Sequence, residues 1–225
     1  MIQLDDISLA YGDQRILERV TLHVSPGECL GLLGASGCGK STLLRIMTGE
    51  QPPQSGTVRV GDWSPGGKVR HPPPGLIGVI YQNPTASLDW LWQVGQCLAE
   101  PLIALGVWDR TERQRRVMQA LHDVRLGHVS PAARVVSLSV GQAQRVALAR
   151  ALIGAPRVIL ADEPTSALDP TTAATIIRLL AAAAARGAAV VTVSHNGPLL
   201  ASFCPRLLLL RNHHLEEIAP SEVER

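Results

Sequence analysis

The nine residues "GASGCGKST", Gly34 to Thr42, constrain this chain more than any other stretch. They fit the spacing G-x-x-x-x-G-K-[ST], follow the apolar run "CLGLL" (Cys29–Leu33) and lead into the helical pattern "KSTLLRIMTG". Glycines at such a turn let successive backbone amides curl round phosphate oxygens, because they accept the dihedrals required and leave the amides unshielded. Lys40 is then placed to reach β- and γ-phosphates, the Ser41 hydroxyl to ligate Mg²⁺, and the helix N-terminus to add its partial positive charge. Gly34, Ala35, Ser36, Gly37, Cys38, Gly39, Lys40, Ser41 and Thr42 are therefore candidate nucleotide-binding residues. A plain glycine turn is the competing reading, and it leaves the lysine unexplained: Lys40 and Lys68 are the only lysines among 21 basic residues.

A strand, a phosphate-binding turn and a helix make sense only inside a larger α/β sheet. Three further runs read as buried parallel strands: "GLIGVIY" (Gly75–Tyr81), "RVILA" (Arg157–Ala161) and "AAVVTVS" (Ala188–Ser194). Between the last two, Asp169 is placed to cap a helix, Pro170 to occupy its first turn and Gly187 to follow its end. "RLLLLRNHHLEEI" predicts a terminal hairpin turning near Asn212–His213. From 84 to 153 helical patterns replace strands, so that stretch is expected as a helical lobe inserted between core segments 1–83 and 154–225.

Composition excludes several classes. A chain of 225 residues with 46% hydrophobic content can bury a full core, and a formal charge of +2 gives no electrostatic footprint for nucleic acid. Cys29, Cys38, Cys97 and Cys204 are scattered without metal-binding spacing, which suggests a reducing compartment. No signal peptide is evident and no segment approaches ~18 uninterrupted apolar residues, so a cytoplasmic location is expected.

Two more motifs carry chemistry. "VILADEP" sets Asp162 and Glu163 at the carboxyl end of an apolar strand, where ligands sit in open α/β sheets. With a phosphate loop nearby, Asp162 would hold Mg²⁺, directly or through water, and Glu163 would activate the attacking water. "SLSVGQ" contains Ser139-x-x-Gln142, a capping box, which makes Ser139 the N-cap and Val140 the first helical residue. Gly141 then leaves its amide open to an anion.

In this order the motifs resemble the ATP-binding subunit of ABC transporters, and the likeness covers essentially the whole chain. Tyr11 lies where that family places an aromatic ring under adenine, Gln82 matches its Q-loop glutamine, "SALD" (Ser166–Asp169) its D-loop and His195 its switch histidine. The resemblance implies an α/β P-loop NTPase core with a mostly parallel sheet, an N-terminal antiparallel β portion and the inserted helical lobe. It further implies ATP and Mg²⁺ as cofactors, Glu163, His195, Gln82 and Lys40 as catalytic groups, and Ser41, Gln82 and Asp162 around the metal. Two ATP molecules would lie in a head-to-tail dimer, each between Lys40 of one subunit and Ser139 and Gly141 of the other, with Gln142 and Asp169 also at the nucleotide. The partners implied are transmembrane permease subunits and a second ATPase subunit, so the chain would sit peripherally on the inner face of the cell membrane. Val140 departs from the family's usual glycine and puts loop flexibility in question more than phosphate contact.

A finer resemblance is to the peptide and nickel uptake branch, through Gln82, Pro84, Ala86, Ser87, Leu88, Glu100, Pro101 and Leu102. Asp89-Trp90 departs from that branch, as does the end of the sequence at Arg225. Peptide, nickel or a metal chelate is the cargo this implies. An accessory ATPase of a soluble enzyme complex, such as one accompanying phosphonate-degrading enzymes, fits the sequence nearly as well. Trp90 and Trp92 follow the Q-loop, and at least one of them is expected to line the groove that in the family receives a helix of the membrane partner.

Overall fold

The computed structural model describes residues 1–67, 71–83, 87–166 and 168–223. Lys68, Pro84, Ala86 and Ala167 lie outside the described residues.

Among the described residues, nine strands form two sheets. β1 (Ile2–Tyr11), β2 (Gln14–Val24) and β4 (Ser55–Val60) make a three-stranded antiparallel sheet in the order β2-β1-β4. β3 (Cys29–Leu33), β5 (Ile77–Ile80), β6 (Val158–Asp162), β7 (Ala189–Val193), β8 (Arg206–Arg211) and β9 (His214–Ile218) make the second, ordered β5-β6-β7-β3-β8-β9. All its pairings are parallel except that of β8 with β9, the terminal hairpin. Asn212 and His213 both have positive φ at the turn, 48° and 71°, the backbone that suits a tight two-residue hairpin. The expected strands are all present, with ends shifted by a residue or two.

The six-stranded sheet is covered on both faces, which explains why its strands are apolar without alternation. On β3, Cys29 and Leu33 join one hydrophobic cluster, while Leu30 and Leu32 join the other. β6 divides likewise, Ile159 and Ala161 against Val158 and Leu160. The second face packs on α1 (Lys40–Thr48) and the antiparallel sheet, through Leu43, Ile46 and Met47 with Ile2, Leu4 and Val60. The first packs on α5 (Pro170–Ala185) through Ile176 and Leu180, and on α6 (Gly197–Ala201) through Leu200.

That first cluster runs without a break into the helical stretch. α2 (Val94–Ala104) contributes Val94, Cys97 and Leu98, α3 (Arg110–Asp123) Val117 and Leu121, and α4 (Val140–Leu152) Ala143, Val146 and Ala147. α3, α4 and α5 each start where a capping side chain satisfies an orphan amide. Asp109 accepts from the Thr111 amide, Ser139 and Gln142 form the expected reciprocal box, and Asp169 accepts from the Thr172 amide. No described helix is long and apolar enough to cross a membrane.

Candidate functional site

Parallel strands align their carboxyl ends on one edge, and this edge is where the chemistry-bearing residues converge. β3 ends at Leu33 and enters the phosphate-binding turn; β7, its neighbour, ends before Ser194 and His195; β6, next along, ends at Asp162 and Glu163; β5, at the sheet's edge, leads to Tyr81 and Gln82. Ser36, Gly37, Gly39, Lys40, Ser41, Thr42, Gln82, Asp162, Glu163 and His195 line a single cleft of 260 Å³.

The turn itself is built on left-handed glycines. Gly37 and Gly39 have φ of 78° and 113°, a conformation in which a Cβ is strained. Gly34, at φ 151°, has no room either: a Cβ there would come within 2.7 Å of the Leu210 carbonyl oxygen and of Cys38 Sγ. Lys40 is only 9% exposed and lies across the loop, its Nζ donating to the Gly34 and Ala35 carbonyls at 2.7 and 2.8 Å, with Cys38 Sγ at 3.9 Å. Gly34, Ala35 and Cys38 thus belong to the loop without lining the cleft.

Burial pushes the Asp162 carboxyl above its ordinary value; the neighbouring Ser41 hydroxyl, Lys40 and Arg45 oppose the shift while the charge of Glu163 adds to it. A hard-oxygen pair of carboxylate and hydroxyl, with the Gln82 amide on the same cleft, is a donor set that suits Mg²⁺ alongside phosphate oxygens.

Glu163 is buried, and its backbone is left-handed at φ 47°, a conformation costing a bulky residue on the order of 1–3 kcal/mol. The strain turns the chain so that the Glu163 amide donates to the Val193 carbonyl at 2.9 Å and the carboxylate meets the end of β7. There Oε2 accepts from Ser194 Oγ at 3.1 Å, and Oε1 accepts from the His195 amide and faces His195 Nδ1, both at 2.8 Å. The sequence singled out Glu163 and His195 but not Ser194, whose contact spans 31 positions and leaves no local pattern. Gln144 was missed for the same reason. It is buried in α4, and its Nε2 lies 3.5 Å from the carbonyl of Tyr81, the residue before Gln82.

The remaining expected residues lie elsewhere on the surface. Tyr11 ends β1 with its ring 49% exposed, so it is no core tyrosine. Ser139, Gly141, Gln142 and Asp169 do not line the cleft; Asp169 lies close enough to Arg145 of α4 to raise that guanidinium's pKa, against a larger, opposing effect of burial. Trp90, Leu91 and Trp92 are exposed, as is Val136, and backbone bonds lay the two segments side by side, Val135 to Trp92 at 3.0 Å and Val136 to Trp90 at 3.2 Å. A separate groove of 310 Å³ beside the Tyr81 end of β5 is lined by Tyr81, Glu100, Pro101, Leu105 and Arg150, among others, and by neither tryptophan.

A phosphate-binding turn after a central parallel strand, with acidic residues ending a nearby strand, defines a P-loop nucleotide-binding protein. A sequence model of the ABC transporter family matches residues 17–166, and the chain belongs to that family. It is 36% identical to methionine import ATP-binding protein MetN 2 of Bacillus licheniformis, over 96% of this chain and 65% of that protein. It is 34% identical to the di/tripeptide transport ATP-binding protein DppF of Pseudomonas aeruginosa, over 92% of this chain and 66% of that one. The chain therefore spans just under two thirds of the length of these relatives. Among solved structures, the ATP-binding cassette MJ0796, a dimer in a post-hydrolysis state with ADP and Pi, superposes with a TM-score of 0.87 at 30% identity, covering 98% of this chain and 99% of that one.

Proposed function

We propose that the chain is the ATP-hydrolysing subunit of a membrane importer, working as a head-to-tail dimer with a second ATPase subunit and with separate transmembrane permease subunits. The observation that carries the reading is the single cleft shared by Lys40, Ser41, Gln82, Asp162, Glu163 and His195. In it the turn from Gly34 to Thr42 cradles the phosphates through those of its amides that face the cleft, and Lys40 neutralises them. Ser41, Asp162 and Gln82 would hold Mg²⁺, which when bound stabilises charge on the β- and γ-phosphate oxygens. Glu163 accepts a proton from water as the water oxygen bonds to the γ-phosphorus and the bond to the bridging oxygen breaks, releasing ADP and phosphate. His195, hydrogen-bonded to Glu163, orients that base. Ser139, Gly141 and Gln142, absent from this chain's own cleft, serve the partner's nucleotide, with Asp169 beside them and Tyr11 under the adenine.

In this reading 1–83 and 154–225 form the nucleotide-binding core and 84–153 the lobe that presents the signature helix. The permease docks near the Q-loop, over Trp90 and Trp92, which keeps the ATPase on the cytoplasmic face of the membrane. The residues from Tyr81 to Leu102 favour peptide, nickel or a chelate as cargo, and the likeness to a di/tripeptide transport protein supports the first. The slightly higher likeness to a methionine import protein argues that cargo choice resides in the permease.

The test is Glu163→Gln. Loss of the base should lower steady-state ATP hydrolysis by ~10²-fold or more, leave ATP affinity near the parent's and allow an ATP-dependent dimer to persist on size exclusion. Parental turnover in the variant would remove Glu163 from the role.

A further inference from the structure

Ser194 is 2% exposed and follows β7 directly. Its hydroxyl has two partners, each 3.1 Å away: Glu163 Oε2 and the Asn196 amide. The amide can only donate, so it takes a lone pair of the hydroxyl, and the hydroxyl proton is left to point at the carboxylate. An ionised carboxylate offers about four acceptor positions. Among the described contacts, the His195 amide and Nδ1 occupy Oε1, and Ser194 occupies one position on Oε2. The remaining position is also on Oε2, the oxygen whose orientation Ser194 fixes.

We infer that Ser194 is a positioning residue for ATP hydrolysis, holding Glu163 so that the free acceptor position on Oε2 is presented to the attacking water in the cleft. This rests on the reading of Glu163 as the base. Asn196 extends the arrangement: its side chain caps α6 by accepting from the Leu199 amide at 3.0 Å, and its own amide sets the Ser194 hydroxyl. The start of α6 thereby fixes a rotor on which the base depends. Without the hydroxyl, Oε2 loses its only donor among the described contacts while Oε1 keeps both of its own. The carboxylate can then pivot about Oε1, and a misdirected base loses rate without losing substrate.

Four variants of the full chain test this: Ser194→Ala, Ser194→Thr, Glu163→Gln and the double variant Ser194→Ala/Glu163→Gln. Ser194→Ala should lower kcat for ATP hydrolysis by ~10-fold, with KM and the affinity for a fluorescent ATP analogue unchanged. Threonine keeps the hydroxyl and should recover most of the loss. The double variant should be no slower than Glu163→Gln alone, because Ser194 acts only through that carboxylate. If Glu163→Gln is impaired while Ser194→Ala turns over at the parental rate, Ser194 has no such role and the assignment of Glu163 stands. If Glu163→Gln itself is unimpaired, both ideas fall. Equal loss of nucleotide affinity and thermal stability in the alanine and threonine variants would make Ser194 a packing residue and overturn the inference.

Discussion

At the scale of single residues, the cleft depends on backbone that side chains resist. Gly34 and Gly37 look alike in the sequence, yet their surroundings differ. A Cβ at Gly37 meets nothing within 4 Å, so Gly37→Ala carries only the left-handed penalty, on the order of 1–2 kcal/mol. A Cβ at Gly34 meets a backbone carbonyl of β8 at 2.7 Å, and backbone cannot swing aside as a side chain can. Gly34→Ala should therefore lower the thermal midpoint clearly more than Gly37→Ala, and differential scanning fluorimetry of the two variants decides it. Equal shifts would mean that the strand yields to the loop. The glycine spacing was legible in the sequence because a phosphate turn imposes it; the closeness of β8 was not, because Leu210 lies 176 positions from Gly34.

α4 and α5 begin where the sequence says, since capping chemistry is local. α5 shows this and also shows a cost that appears with pH. Hydrogen bonds from Thr172, side chain and backbone, hold the Asp169 carboxyl below its ordinary value, with the Thr171 amide adding to them. A carboxyl depressed in the folded state contributes stability that is complete above its unfolded pKa and is lost as pH falls through the folded one. Asp169→Asn keeps an N-cap but no titrating group. Its thermal midpoint should fall less steeply than the parent's on acidification from about pH 6 to 3; parallel curves would show that Asp169 is not what the acid limb senses. α4 makes the complementary point. Val140 stands at its first helical position, 68% exposed, with the capping box on either side of it intact. A β-branched residue accepts helical φ at small expense, so the helix starts on schedule without the usual glycine.

For the whole molecule, the helical stretch shares one apolar cluster with the sheet, yet it also carries the most conspicuous exposed apolar surface. Trp90 and Trp92 are 41% and 40% exposed, with Leu91 and Val136 alongside. Rings of this kind, half in water, lose little conformational entropy when covered and are common at interface hot spots. If the docking proposed above holds, Trp90→Ala or Trp92→Ala should weaken assembly with the proposed permease partner by ~2 kcal/mol or more and leave ATP affinity of the separate subunit intact. Pull-down affinity compared with nucleotide affinity is the measurement. Normal assembly of both single variants and the double variant would remove Trp90 and Trp92 from the proposed docking surface.

What the sequence determined by itself was everything governed by near neighbours along the chain. The apolar strands, the caps at Ser139 and Asp169, the glycine turn and the hairpin at Asn212–His213 each need only a few consecutive residues, and periodicity and turn chemistry read them directly. The residue types at the cleft were legible too, since a lysine in a glycine turn and paired acids at a strand end have few other uses. Tertiary structure alone decided how those groups face one another. The order β5-β6-β7-β3 places Glu163 beside Ser194 and His195, and parallel pairing between distant strands depends on how both faces of the sheet are covered. The left-handed turn at Glu163, which aims its carboxylate at β7, has no signature in a sequence because nothing about glutamate prefers it. Contacts made elsewhere in the fold overcome that local cost, and no window of neighbouring residues contains them.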